Sequence, residues 1–139
     1  MPSGRWKLPQ PVATAPGWAF NIIYSSGTTG TPKGIVQSHA MREMHIQRAL
    51  ISGYAADTVA LLSTPLYSNT TLVSLLPTLA WGGCAVLMPR FDALAYLQLA
   101  ERHRATHSML VPVQYQRLMA HPEFERFDLR SFRTKQCTS

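Results

Sequence analysis

The ten residues SSGTTGTPKG, Ser25 to Gly34, follow directly on the apolar run AFNIIY, Ala19 to Tyr24. A strand that stops at a glycine-rich turn leaves backbone N–H groups free, and such concavities bind anions, phosphate above all. Here the hydroxyls of Ser25, Ser26, Thr28, Thr29 and Thr31 add donors, and Lys33 adds one positive charge. Gly27, Gly30 and Gly34 let the backbone approach closely, and Pro32 restricts the loop so that less entropy is lost on binding. The stretch is not a Walker loop. Starting G-x-x-x-x-G-K-S/T at Gly27 puts Pro32 where the second glycine belongs and Gly34 where the hydroxyl belongs. Composition alone would also allow a solvated surface loop.

Working outward, AFNIIYS has the β-branched and aromatic content of a buried strand, and GIVQ reads as a second extended piece. Ser38 is placed to cap a helix running to about Gly53, with Ile46, Ala49, Leu50 and Gly53 at helical spacing and Arg42, Glu43, Gln47 and Arg48 facing water. TVALLS is a strand, TLVSLLPTLAW an apolar helix ended by Gly82 and Gly83, and CAVLM another strand. Asp92 caps ALAYLQLAERHR, with Leu94, Leu97 and Ala100 on its inner stripe. THSMLV, VQYQRLMAH and RTKQCTS read as strand, helix and a last extended piece that stops unpaired. This alternation predicts an α/β fold with a mostly parallel sheet covered on both faces. Residues 1–17 read as a lead-in, and 18–139 as one domain whose sheet is incomplete.

Of the 139 residues, 46% are hydrophobic and 14% charged, which fits a folded chain and excludes a disordered one. The net charge of +6 would suit nucleic acid, but the thirteen Lys and Arg are scattered, so no nucleic-acid partner is expected. Thr58 to Pro89 carries no charge; Pro65, Pro77 and Gly82-Gly83 interrupt it, which argues against a membrane span. Two cysteines, Cys84 and Cys137, and no signal-like apolar segment point to the reducing cytoplasm. Cys84 begins a strand and reads as core, Met41 and Met44 as packing residues, and His39 as a helix-start residue with a local hydrogen bond. His103 and His107 have a helical metal-ligand spacing, but Ala105-Thr106 breaks the helix between them, and no metal site is expected. Tyr67 stands at a strand's carboxyl end, where open parallel sheets bind ligands.

Ser25 to Gly34 closely resembles the S/T-G-T-T-G-x-P-K-G signature of the AMP-forming adenylating superfamily, which includes acyl-CoA synthetases. STPLYSNTTLVSLLPTLAWGGCAVLM and FDALAYLQLAERHRATHSMLVPVQYQRLM continue the resemblance. The chain is therefore identified as part of that family's large N-terminal domain. The resemblance implies ATP-dependent activation of a carboxylic acid to an acyl-adenylate, followed by thioester formation with coenzyme A. It implies that Ser25, Ser26, Gly27, Thr28, Thr29, Gly30 and Lys33 hold the β and γ phosphates, with Lys33 catalytic, and that Mg2+ is bound by residues outside this chain. Tyr67 and Ser68 fall where many members carry an aromatic residue followed by histidine; the serine departs from that pattern. Leu72, Val73, Leu75, Leu76 and Leu79 hint at a hydrophobic acid, but such a stripe more often faces the core than a pocket. The family's adenine contacts, metal-binding glutamate and mobile C-terminal domain would follow Ser139, in the missing remainder of a ligase. A carrier-loading adenylation domain and a non-catalytic nucleotide-binding fragment are the alternatives.

Overall fold

The computed structural model describes residues 10–25 and 30–138. Its first sheet is a hairpin of β1 (Ala19–Ser25) and β2 (Lys33–Ser38), antiparallel, with Tyr24 opposite Gly34 and Ser25 opposite Lys33. A connection this short cannot return as a parallel crossover, which needs a dozen or more residues. β1 is therefore not part of the parallel sheet, and its apolar side chains are not buried in this chain: Phe20, Ile22 and Tyr24 are exposed. Gly34 sits under close cross-strand neighbours, where a Cβ would lie 3.2 Å from Ile22 Cγ2 and 3.4 Å from the Tyr24 ring, both on exposed side chains.

The second sheet is parallel throughout and holds β3 (Val59–Leu62), β4 (Cys84–Leu87), β5 (His107–Leu110) and β6 (Thr134–Cys137) in the order β4-β3-β5-β6. Right-handed crossovers dictate where the helices lie. The step from β3 to β4 through α2 (Asn69–Ala80) runs one way across the sheet. The steps to β5 through α3 (Ala93–Arg102) and to β6 through α4 (Pro112–Met119) run the other way. α2, with α1 (His39–Ala49) packed along it, therefore covers one face, and α3 and α4 cover the opposite face. The core under α3 and α4 joins Leu61, Tyr96, Leu97, Ala100, Leu110 and Leu118.

Both anticipated caps form: Ser38 Oγ accepts from Met41 N–H at 3.3 Å and Asp92 Oδ1 from Ala95 N–H at 2.8 Å. After α1 a 3-10 turn, Leu50–Ser52, leads to Gly53 at φ 77°. Three expectations are corrected. Thr134 to Cys137 is not unpaired but forms a parallel ladder with β5, leaving one open edge. Cys84 is exposed, because β4 is the other edge strand. On α2 the buried positions are Thr71, Ser74, Pro77 and Thr78, while Leu79 is 58% exposed, so the leucines do not form the inner face. Polar partners make that face tolerable: Ser74 shares a 2.9 Å hydrogen bond with Tyr54, and Thr78 donates to the Ser74 carbonyl at 2.7 Å.

Candidate functional site

In an open parallel sheet, ligands bind outside the carboxyl ends of the strands where the strand order reverses. Here that point lies between β3 and β5. The segment leaving β3 is held by Thr71, whose hydroxyl lies 2.7 Å from the Pro65 carbonyl and 2.9 Å from the Thr64 carbonyl. This fixes the turn that carries Tyr67, 82% exposed, and Ser68, the residue before α2. The Ser68 side chain does not cap the helix. Across the switch point, Gln114 of α4 accepts from Val111 N–H at 3.2 Å and donates to Ser63 Oγ at 3.5 Å.

Arg42 joins this turn to the hairpin. Its guanidinium donates through Nε and Nη2 to Asn21 Oδ1 of β1, at 3.1 and 3.0 Å, and through Nη1 to Asn69 Oδ1, the first residue of α2, at 3.0 Å. The residue is 2% exposed and forms no ion pair among the described residues. Burial lowers its pKa, so two neutral amides hold a cation that no carboxylate there offsets. The sequence reading put Arg42 in water. The signal it passed over is Asn21, a polar residue in the middle of an apolar strand that needs a partner.

Beside this bridge a cleft of about 250 Å³ opens between α1, α2 and the β5–β6 part of the sheet, lined among others by His45, Arg48, Tyr54, Val73, Met109 and Gln136. His45 Nδ1 is buried with no hydrogen-bond partner among the described residues. Burial, and then the charges of Arg42 and Arg48, hold its imidazole below the ordinary histidine range. Behind Ser52 and Tyr54 of this lining, the wholly buried His107 donates from Nε2 to the Ser52 carbonyl at 3.1 Å and packs its ring tilted against Tyr54 with centroids 4.3 Å apart. The carbonyl can only accept, which assigns the proton to Nε2 and leaves Nδ1 facing the Thr106 hydroxyl at 2.9 Å. Burial lowers the pKa of this ring too.

Of the residues expected to hold phosphate, Ser26, Gly27, Thr28 and Thr29 lie outside the described residues, as does the side chain of Ser25. The described ends of the loop are the Ser25 backbone, Gly30 at φ 83°, and Lys33, exposed at the start of β2 and opposite Ser25. The structure thus places Lys33 at the mouth of the hairpin connection, and Arg42 ties the same hairpin to the Tyr67–Asn69 turn. His39 packs edge to face on Phe20, with centroids 5.3 Å apart. His103 caps α3 and His107 lies inside β5; among the described residues no three His, Cys, Asp or Glu could hold a metal ion. No helix described is long and apolar enough to cross a membrane.

Comparison with known proteins extends this picture. The model of the AMP-binding enzyme family matches residues 2–138. The chain is 37% identical over 118 residues to a feruloyl-CoA synthase of an Amycolatopsis species, covering 84% of this chain and 24% of that protein. It is 40% identical over 95 residues to the 2-succinylbenzoate–CoA ligase of Arabidopsis thaliana, covering 68% of this chain and 17% of the relative. Among solved structures, ATP-bound MatB from Rhodopseudomonas palustris superposes with a TM-score of 0.81 at 29% identity, covering 92% of this chain and 25% of that one. The chain thus spans about a quarter or less of the length of these relatives.

Proposed function

We propose, because this chain belongs to the AMP-binding enzyme family, that it supplies the phosphate-holding hairpin and one wall of the acid site of an ATP-dependent acid–CoA ligase. In the first half-reaction a carboxylate oxygen attacks the α-phosphorus of ATP. The bond from that phosphorus to the bridging oxygen breaks, and pyrophosphate leaves. As negative charge grows on the leaving group, the Lys33 ammonium and the N–H and O–H donors of Ser25 to Gly30 stabilise it more than they stabilise bound ATP, which lowers the barrier. In the second half the thiol of coenzyme A adds to the acyl carbonyl and AMP is expelled. The described residues offer no carboxylate set for Mg2+, and the ion that accompanies ATP is assigned no ligand in this chain.

The observation that carries this reading is the bridge from Asn21 through Arg42 to Asn69, which sets the hairpin and the turn after β3 in one fixed relation. Phosphates held at the hairpin and a carboxylate held near Tyr67 and Ser68 would then meet with little reorganisation. The acid's tail would occupy the neighbouring cleft, whose Tyr54, Val73 and Met109 suit a carboxylic acid with an apolar midsection. The exposed, free Cys84 and Cys137 suit a reducing cytoplasm.

The test uses the full-length protein that carries this segment. Acid-dependent exchange of labelled pyrophosphate into ATP, followed by an acyl-CoA product with the mass of the thioester, is the expected result. Exchange without transfer to coenzyme A, but with transfer to a carrier protein, would favour a carrier-loading adenylation domain. No exchange across a panel of aryl and aliphatic acids would contradict the ligase reading and leave nucleotide binding alone.

A further inference from the structure

We propose that the acid taken by this cleft carries a second, anionic oxygen at the end remote from its reacting carboxyl, and that His45 and Arg48 select it; this rests on the reading of the cleft as the acid site. Direction comes first. Arg42 touches Asn69, beside the turn that follows the carboxyl end of β3. His45 and Arg48 lie three and six residues further along the same helix, about 4.5 and 9 Å at 1.5 Å per residue. The helix then leads to Ser52, whose carbonyl is bound by His107 at the amino end of β5. A ligand with its carboxyl near Ser68 therefore points its tail past Val73 toward His45, Arg48 and Ser52.

Chemistry decides what that tail is. Two of the named lining groups are basic, no Asp or Glu lines the cleft, and Arg48 forms no ion pair among the described residues. His45 Nδ1 is buried without a partner there. A buried polar atom left unpaired is costly, and an aliphatic tail would leave this nitrogen unanswered, while the exposed Arg48 guanidinium would stay with water. A carboxylate or phenolate oxygen answers both: it accepts an N–H from the ring and a charge-assisted bond from Arg48. Gln136 offers a further amide at the same wall, while Tyr54, Val73 and Met109 keep the stretch between the two ends apolar.

The experiment compares 4-carboxycinnamate, 4-hydroxycinnamate and 4-methylcinnamate as substrates for pyrophosphate exchange by the full-length protein, with octanedioate against octanoate as the aliphatic pair. The three ring acids differ only at the far end, and the carboxy and hydroxy arms separate a carboxylate from a phenolic oxygen. The expected result is a kcat/KM for at least one oxygen-bearing acid about tenfold or more above its methyl-ended partner, the worth of one hydrogen bond to a charged group. Arg48→Met should bring that ratio close to one, and Arg48→Lys should restore part of it. A ratio near one in the unmodified protein, or a ratio unchanged in Arg48→Met and in His45→Leu, would overturn the selectivity while exchange itself still supports the ligase. No exchange with any of the five acids would overturn the ligase reading and this inference together.

Discussion

A cation buried between two asparagines is the residue on which the site's geometry turns. Replacing Arg42 by methionine keeps most of the volume but leaves Asn21 Oδ1 and Asn69 Oδ1 without donors. The expected loss is about 2 to 3 kcal/mol of unfolding free energy, read from denaturant titration, with Arg42→Lys intermediate. An unchanged midpoint would show that the bridge is not structural. The histidines give a pH signature. His45 and His107 both have pKa values held below the ordinary 6.5. Above that pH they are neutral folded or unfolded and contribute nothing. Below it the unfolded chain binds protons that the folded one refuses, so stability falls as pH drops from 6.5. Melting temperature should decline from pH 7 to 5, less steeply in His45→Gln; a flat profile would contradict it. Asp57 and Asp128 do not confuse this window, since Arg133 holds Asp57 low and Arg130 holds Asp128 low, so both stay ionised throughout. The caps Ser38 and Asp92 were legible in the sequence because each acts on a backbone N–H three residues away. Arg42 was not, because its partners lie 21 and 27 positions distant.

Among the elements, strand and helix alternation was readable from apolar runs and glycine pairs, and the order of elements follows it. The apolar content of β1 did not give its pairing, because an apolar run looks the same in a buried parallel strand and in a hairpin whose apolar side chains stay exposed; the short connection, itself legible in the sequence, is the signal that separates them. The face of α2 misled for a related reason. Leucines mark the inner side of most helices, but here short Thr and Ser side chains lie inward and find hydrogen-bond partners. The turn after α2 supplies a sharp test of this close approach. A Cβ on Gly83 would stand 2.8 Å from the Thr58 carbonyl oxygen and 3.1 Å from that of Thr78, both backbone atoms that cannot swing aside. Gly83→Ala is expected to cost about 1 to 3 kcal/mol by overpacking, measured as a lowered melting temperature. Gly17→Ala, where nothing lies within 4 Å, should be near neutral. Equal melting temperatures for the two variants would mean that α2 does not approach β3 as described.

For the whole molecule, the four-stranded sheet shows open edges at β4 and β6, and one face of the hairpin exposes Phe20, Ile22, Tyr24 and Val36 together. Open edges and contiguous apolar surface favour association. Residues 1–139 expressed alone are therefore expected to sediment as more than a monomer; a monodisperse monomer with cooperative unfolding would contradict this. The family and its fold could be read from the Ser25–Gly34 signature, while the cleft proposed for the acid could not, because it is assembled from α1, α2, β5 and β6 and no short motif spans it. The central claim is that the hairpin mouth holds the phosphates of ATP, and it is tested most directly by pyrophosphate exchange in Lys33→Ala of the full-length protein. Lys33 is exposed and supports no core, so folding should be retained. Exchange should fall about 100-fold or more, as when a donor to developing charge is removed. Exchange near the unmodified rate, with the fold intact, would place the phosphates elsewhere.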